Sequence, residues 1–267
     1  MKRQLIIFLV LGILLAACSS PAAPTATTAP AAPTEAPTAA PTEAPPPTEA
    51  PTSTPEPTAD LAATAAVQAT ADAEALLAAL ADEISQELTT LGLSTEGNLV
   101  FLQADPIAIV ANQQDFDGVY EDAGIDPVGD FAWGFDMTWE TETGFSGCGF
   151  IFRAENDMDR GQQVRFYTTR LSGLPFWAFA IYRYGQWQVD LADGVNSAIK
   201  NGQGSTNHFV VSAHGPNVIF YVNGTRVGAT TLPAARATGR FGYLTWEDSG
   251  ISTCTFSNGW VVEYPND

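Results

Sequence analysis

The sequence predicts an all-β sandwich or barrel that follows one Ala-rich helix and a disordered Pro/Thr-rich segment. From Asn98 to Tyr264 apolar residues alternate with polar or small ones, which is the period of β-strands. Between 59 and 92 the larger apolar residues lie three or four positions apart, which is the period of a helix. Residues 19–58 hold 12 of the 18 prolines and almost nothing to bury.

Residues 1–17 have the layout of a secretory signal peptide. Two basic residues precede an apolar run from Leu5 to Ala17, and small residues close that run. The run is shorter than the roughly 20 residues that a membrane-spanning helix needs. These features predict export from the cytoplasm.

The tetrapeptide Leu15-Ala16-Ala17-Cys18 resembles a bacterial lipobox. In such lipoproteins the peptide is cut before the cysteine, and the cysteine then carries acyl chains. The resemblance implies that Cys18 is the lipidation site and that a lipid bilayer holds the protein at the extracytoplasmic face or the cell surface of a bacterium. An ordinary signal peptide or a short membrane anchor is the alternative.

Residues 18–58 are predicted to form a disordered tether that is rich in Pro, Thr and Ala. The unit Pro-Thr-Glu-Ala recurs at Pro33, Pro41 and Pro47. Proline stiffens such a chain toward polyproline II, which at 3.1 Å per residue reaches about 120 Å. The tether is either a spacer for the following domain or a segment of no selected length, and the sequence does not show whether it is glycosylated.

Residues 59–92 are predicted to form an Ala-rich helix. One face of that helix carries an apolar stripe, and Gly92 suits its C-cap. The stripe consists of Leu77, Leu80, Ile84, Leu88 and Leu91. It spans about two heptads, which is short for a coiled coil, so we expect docking on the next domain or a free stalk rather than pairing with a second copy.

Residues 97–267 are predicted to form a single β-domain of about ten strands. Phe131–Trp139 shows the alternation most clearly, and Asn223-Gly224 is the strongest hairpin signal. The other predicted strands lie at 148–152, 164–167, 176–184, 187–191, 208–213, 218–222, 226–230, 240–246 and 254–264.

Several of these strands carry recognisable local patterns. They include Phe135–Trp139, Gly149–Arg153, the Val218–Gly224 hairpin and Gly239–Leu244. With these patterns, the region from Phe131 to Tyr264 resembles a bacterial member of the concanavalin A-like, LamG-type jelly-roll superfamily. The resemblance implies a jelly-roll β-sandwich. That superfamily includes lectins, carbohydrate-binding modules, glucanases of the family 16 type and a branch described as keto-disaccharide hydrolase-like, so the fold does not select a function.

Charge excludes one class of partner. The net charge is −19, and no Lys or Arg lies between Arg3 and Arg153. A nucleic-acid-binding protein needs a basic surface, so we expect no nucleic-acid partner.

The assignment of Cys18 to lipid leaves two cysteines in an exported protein. Cys148 shares a strand face with Phe150, and Cys254 shares one with Phe256. Both thiols therefore face the predicted core, and a disulfide between them is expected if their strands are neighbours.

The sequence offers no convincing catalytic group. The Glu-x-Asp-x-x-Glu strand of the glucanases is absent, and Glu140 with Glu142 is a poor carboxylate pair at the edge of a turn. His208 and His214 form no triad that can be argued from the sequence. No cofactor is expected. Ca²⁺ is a weaker possibility at the loop that carries Asp157 and Asp159, since many jelly rolls of the resembled superfamily bind it.

Aromatic residues are the remaining lead, because sugar rings stack on aromatic faces in many lectins of this fold. Trp177, Tyr182, Tyr184 and Trp187 lie within eleven residues and are the predicted ligand-binding residues. The sequence therefore predicts a surface-anchored, non-catalytic module that binds a glycan or an extracellular polymer. A glycosidase-like enzyme of the same fold and a protein-binding adhesion module are the alternatives, and the oligomeric state is not predicted.

Overall fold

The structure is a computed structural model, and it describes residues 61–265 except 114, 116–117, 142–144, 172 and 234–237. The predicted signal peptide, Cys18 and the tether lie outside the described residues, so those predictions stay as made. All described residues belong to one compact unit, Ala59–Asp267. Within the described residues, no helix is long and apolar enough to cross a membrane.

Among the described residues the chain forms one helix, α1 (Leu61–Leu91), and thirteen strands. The strands are β1 (Asn98–Leu102), β2 (Ile107–Asn112), β3 (Val119–Asp122), β4 (Phe131–Thr141), β5 (Ser146–Ala154), β6 (Gln162–Leu171), β7 (Leu174–Arg183), β8 (Gln186–Val195), β9 (Ser205–His214), β10 (Asn217–Val222), β11 (Thr225–Thr231), β12 (Arg240–Glu247) and β13 (Ile251–Glu263).

The strands build two antiparallel sheets, which confirms the predicted all-β jelly-roll sandwich. Sheet 1 has the order β1-β13-β4-β9-β10-β11, and β2 pairs with the other end of the long strand β13. Sheet 2 has the order β3-β12-β5-β6-β7-β8. The sequence pattern did not identify β1, β2 and β3 as separate strands, because they are short and only partly buried.

The core lies between the sheets and is dominated by aromatic rings. Phe131, Trp133, Phe135, Met137 and Trp139 occupy alternate positions of β4, and all five are fully buried. Alternate residues of a strand face the same side, so the period-two pattern places all five in the core. Burial stabilises the fold by about 1.5–3 kcal/mol per large apolar side chain.

A disulfide joins the two sheets. It links Cys148 on β5 to Cys254 on β13, with the Cα atoms 5.8 Å apart and both residues fully buried. The predicted pair is therefore the pair that is bonded. The two cysteines are separated by 106 residues in the sequence. In the unfolded chain the bond therefore closes a long loop, which restricts the conformations of most residues that form the sandwich.

The second half of α1 docks on the outer face of sheet 1. Ile84 and Leu88 are buried there against a cluster that includes Trp260, Val262 and Tyr264. Gly92 has a φ of +70°, and the N–H of Leu93 donates to the carbonyl of Leu88, so the helix ends in a glycine-type C-cap. The sequence left a docked helix and a free stalk as alternatives, and in the structure the helix is docked.

Candidate functional site

The outer face of sheet 2 is the candidate site, and it is built by strand alternation. On β6, Phe166 faces the core, so its neighbours Arg165 and Tyr167 face outward. On β7, Ala178 pairs with Tyr167 and Ala180 pairs with Arg165. Small residues thus lie beside large ones on this face, and a depression forms between the large side chains.

Glycines on β5 deepen the depression. A Cβ atom added to Gly147 would lie 2.3 Å from Nε1 of Trp246, and one added to Gly149 would lie 2.1 Å from the carbonyl oxygen of Phe166. No side chain fits at either position without a shift of its surroundings. The indole of Trp246 lies directly on Gly147, where it forms one wall of a groove.

The resulting cavity has a volume of about 190 Å³. Most of the described residues that line it are aromatic or carry long side chains. They are Phe145, Arg165, Tyr167, Tyr182, Gly185, Trp187, Leu244 and Trp246. We call this cavity the aromatic groove.

Edge-to-face contacts hold the first wall of the aromatic groove. The rings of Phe145 and Trp246 have centroids 4.5 Å apart at an interplanar angle of 68°. The ring of Tyr167 contacts the same indole, with a centroid distance of 6.4 Å and an interplanar angle of 85°. These are favourable geometries for aromatic pairs, so the wall is preorganised.

The second wall comes from the β7–β8 hairpin. Tyr182 on β7 pairs with Trp187 on β8, and the two-residue turn between the strands is Tyr184-Gly185. Both turn residues have positive φ, +54° and +69°, as a tight hairpin turn of this type requires. Trp187 is 55 % exposed, and its Nε1 donates to Oδ1 of Asp190 at 2.9 Å, which orients the indole.

Arg165 brings a positive charge to the aromatic groove. Its guanidinium carbon lies 4.1 Å from the ring centroid of Tyr182, which is a cation–π contact. Its Nε donates to Oε1 of Gln163 at 2.7 Å. The side chain is almost fully buried, so the stack and the hydrogen bond fix its position.

Tyr167 supplies a phenol that stays protonated. Burial raises the pKa of Tyr167, and Tyr182, Asp190 and Asp193 raise it further. The hydroxyl group therefore remains neutral at physiological pH. Such a group both donates and accepts hydrogen bonds.

The four predicted ligand-binding residues have different locations. Tyr182 and Trp187 line the aromatic groove, whereas Tyr184 is 63 % exposed at the hairpin turn and is not a lining residue. Trp177 differs from the expectation, because the alternation of β7 turns its indole into the core. There it packs on Phe166 and Phe220, with centroids 6.2 and 4.9 Å away.

Sequence reasoning missed the wall on the other side of the groove. Phe145 and Trp246 are far from the β7–β8 hairpin in the chain, and Arg165 and Tyr167 lie on β6, the strand before that hairpin. One signal was available, since Arg165 and Tyr167 flank the core residue Phe166. The approach of β12 to this surface depends on sheet topology, which the sequence does not give.

The loop considered for Ca²⁺ uses its carboxylates in the turn itself. Oδ1 of Asp157 accepts the N–H groups of Asp159 and Arg160 at 3.2 and 3.1 Å. Asp159 accepts a hydrogen bond from the hydroxyl group of Tyr120. Among the described residues, no group of three or more His, Cys, Asp or Glu side chains is arranged to hold a metal ion. Calcium binding stays an untested prediction.

Carboxylates do not line the aromatic groove in the part of the chain that the structure describes. Glu140 is exposed at the end of β4, and Glu142 lies outside the described residues.

The two histidines of the chain are not among the residues that line the aromatic groove. His214 Nδ1 lies 3.1 Å from Oδ2 of Asp130, and His208 lies on the outer face of sheet 1.

No protein-family profile and no curated protein sequence matches the chain. Among solved structures, carbohydrate-binding module CBM66 from Bacillus subtilis is similar, with a TM-score of 0.43 and 18 % identity over 63 % of this chain and 94 % of that one. A β-glucanase from Bacillus licheniformis has a TM-score of 0.43 and 10 % identity over 61 % of this chain and 82 % of its own. A Bacillus subtilis protein of unknown function with a galectin-like fold has a TM-score of 0.45 and 11 % identity over 63 % of this chain and 97 % of its own. Similarity at this level assigns no ligand or activity to the chain.

Proposed function

We propose that this protein is a non-catalytic binding module that holds a ring of a glycan or of another extracellular polymer in the aromatic groove. The observation that carries the proposal is the convergence of Tyr167, Tyr182, Trp187 and Trp246 on one cavity around Arg165. A sugar ring has an apolar face of C–H groups and a polar rim of hydroxyl groups. Aromatic faces with a few fixed polar groups are complementary to both.

The size of the aromatic groove supports a single ring as the bound unit. Its volume of about 190 Å³ is below the roughly 300–1,000 Å³ of sites that enclose drug-sized ligands. Trp187 continues the surface at the open side, where it is half exposed. A polymer would therefore place one ring in the groove and lay the next against Trp187.

The lining residues favour binding over hydrolysis. Glycosidases that use a carboxylate pair need two such groups about 5–9.5 Å apart across the scissile bond. The described lining residues of the aromatic groove include no Asp or Glu. The carboxylates of Asp190 and Asp193 lie beside the groove on β8, and that of Asp190 accepts the hydrogen bond from Trp187, so we take binding without bond cleavage as the simpler use of this surface.

The N-terminal segment supports the second part of the proposal, which is display on a membrane. If Cys18 is acylated, the chain between residues 18 and 58 is the connection between the lipid and the folded unit. Intact-mass measurement of membrane-extracted protein tests this part. Acyl adducts that disappear in Cys18→Ala support it, and an unmodified protein that keeps residues 1–17 contradicts it.

A glycan array with the full chain tests the binding part. We expect retention on a restricted set of glycans, and Trp246→Ala should abolish it by removing one wall. Circular dichroism of the variant must show an intact sandwich. If the wild-type protein binds no glycan and no cell-wall or matrix polymer, the proposal fails. Release of shortened saccharides from a bound glycan would instead favour the enzyme.

A further inference from the structure

A histidine lies between two carboxylates on the outer face of sheet 1, and the proposed binding function does not use it. His208 is on β9, and its Nδ1 lies 2.7 Å from Oδ1 of Asp136, its partner across the ladder on β4. Its Nε2 lies 2.8 Å from Oε1 of Glu87 on α1. The second contact does not have the angle of a hydrogen bond and is an ion pair. The imidazole therefore bridges the sheet and the helix.

The sheet side of this bridge is held without help from the helix. Nδ2 of Asn258 donates to Oδ2 of Asp136 at 2.7 Å. The backbone N–H of His208 donates to Oδ1 of Asn223 at 3.0 Å. These contacts do not involve α1, whereas the contact between His208 and Glu87 depends on docking of the helix.

The surroundings of His208 are acidic. A cavity of about 380 Å³ beside this contact is lined by residues of both α1 and sheet 1. Glu83 and Glu87 face it from α1, Asn258 from β13 and Gln103 from the end of β1, while Asp136 contacts the histidine from β4. Among the described residues that line the cavity there is no Lys or Arg. A neutral imidazole would leave the carboxylates of Asp136 and Glu87 on either side of it without a counter-charge.

The proton on His208 stabilises the docked helix at neutral pH. Burial lowers the pKa of His208, but the contacts with Asp136 and Glu87 outweigh it and raise the pKa to about 9. The unperturbed pKa is 6.5. Because the contact with Asp136 does not involve α1, only the part of the rise that comes from Glu87 is linked to docking. That part stabilises the docked helix fully below the pKa that His208 has without the helix, and it is lost as the pH rises through about 9. Both side chains of the ion pair are about 30 % exposed, although the Nε2 atom itself is buried in the docked state.

We propose that His208 is a proton-dependent latch that holds α1 on sheet 1. With the imidazole protonated the latch is closed, and loss of the proton opens it. The docked helix is then retained by the apolar contacts of Ile84 and Leu88 and by the hydrogen bond from the Tyr221 hydroxyl group to the Leu91 carbonyl. An open latch weakens docking, so residues 80–91 separate from sheet 1 more often.

Hydrogen–deuterium exchange of the full chain, read by mass spectrometry at pH 6.5 and pH 9.5, tests the latch. After correction for intrinsic exchange rates, we expect the protection factors of the backbone amides of residues 80–91 to be about 10-fold lower or more at the higher pH. Protection of β5 and β12 in the core should stay unchanged. Equal protection of residues 80–91 at both pH values would overturn the proposal.

Three variants complete the test. His208→Gln should show low protection of residues 80–91 that no longer depends on pH. Glu87→Gln should also remove the pH dependence, and it carries the test if His208→Gln fails to fold, because Glu87 lies on the surface of the helix. His214→Gln is the matched control and should keep the wild-type response. A fall in protection that is as large in Glu87→Gln as in the wild type contradicts the latch.

Discussion

At the scale of the residue, four nearby aromatic side chains have three different environments. Trp177 is in the core, Tyr182 and Trp187 line the aromatic groove, and Tyr184 is at the hairpin turn. Strand alternation and the turn account for the difference, since neighbouring positions on β7 face opposite sides of the sheet. Composition alone does not separate a ring that packs from a ring that binds.

These environments predict different effects of three alanine substitutions. Trp187→Ala removes an exposed wall of the groove, so we expect affinity for the array-selected glycan to fall at least about 10-fold, with a free energy of unfolding within about 0.5 kcal/mol of the wild type. Trp177→Ala should instead destabilise the fold by about 3–5 kcal/mol through a core cavity. Titration calorimetry and denaturant unfolding measure the two quantities.

Tyr184→Ala is the control for this comparison. Its ring is exposed and is not part of the lining of the aromatic groove, so both affinity and stability should stay near the wild-type values. Loss of affinity in Tyr184→Ala with none in Trp187→Ala would move the binding surface from the groove to the hairpin tip.

At the scale of the element, glycines and alanines decide where the groove forms. Gly147, Gly149, Ala178 and Ala180 are outward-facing positions of β5 and β7, and their small size leaves room beneath the rings. The sequence pattern correctly predicted most of these strands. It did not predict that β12 lies next to β5, so Trp246 was missed as a groove residue.

The helix is the second element whose role depends on packing. Its apolar stripe was predicted from period alone, and its C-terminal half, around Ile84 and Leu88, is the part that docks. Leu77 of the same stripe is 51 % exposed, since the helix extends beyond the sheet contact at that point. Periodicity identifies the face of a helix that can be buried. The extent of the sheet surface beneath the helix determines how much of that face is buried.

Docking of α1 predicts a large effect of Leu88→Ala. Leu88 is 1 % exposed, so truncation should reduce the free energy of helix docking by about 2–5 kcal/mol. Hydrogen exchange at pH 6.5 should then show residues 80–91 unprotected while the sandwich stays protected. Leu76→Ala is the matched control because Leu76 is 71 % exposed, and it should leave exchange unchanged. Equal exchange in Leu88→Ala and the wild type would contradict the docked helix.

At the scale of the whole molecule, the two outer faces of the sandwich have different uses. The outer face of sheet 1 is covered in part by α1, and the outer face of sheet 2 carries the open aromatic groove. The helix therefore does not compete with a ligand for the groove. The latch and the proposed binding site lie on opposite sides of the core and can be tested independently.

The disulfide is the covalent link between these two sheets, and its removal should lower global stability. For Cys148→Ala with Cys254→Ala we expect a loss of about 2–5 kcal/mol in the free energy of unfolding, because the unfolded chain regains the freedom of a long loop. Thermal unfolding followed by circular dichroism measures the change. Cys18→Ala is the control and should leave the melting temperature unchanged. An unchanged melting temperature in the double variant would contradict this role.

The sequence by itself determined the fold class, the approximate strands, the apolar face of the helix and the inward orientation of Cys148 and Cys254. These follow from local rules, since residue period, turn chemistry and strand parity depend on near neighbours in the chain. The tertiary structure decided which strands are adjacent. That adjacency brings Trp246 to Tyr167 over Gly147 and places His208 between Asp136 and Glu87. Contacts between residues far apart in the chain depend on sheet order, and one sequence does not encode sheet order in any local pattern.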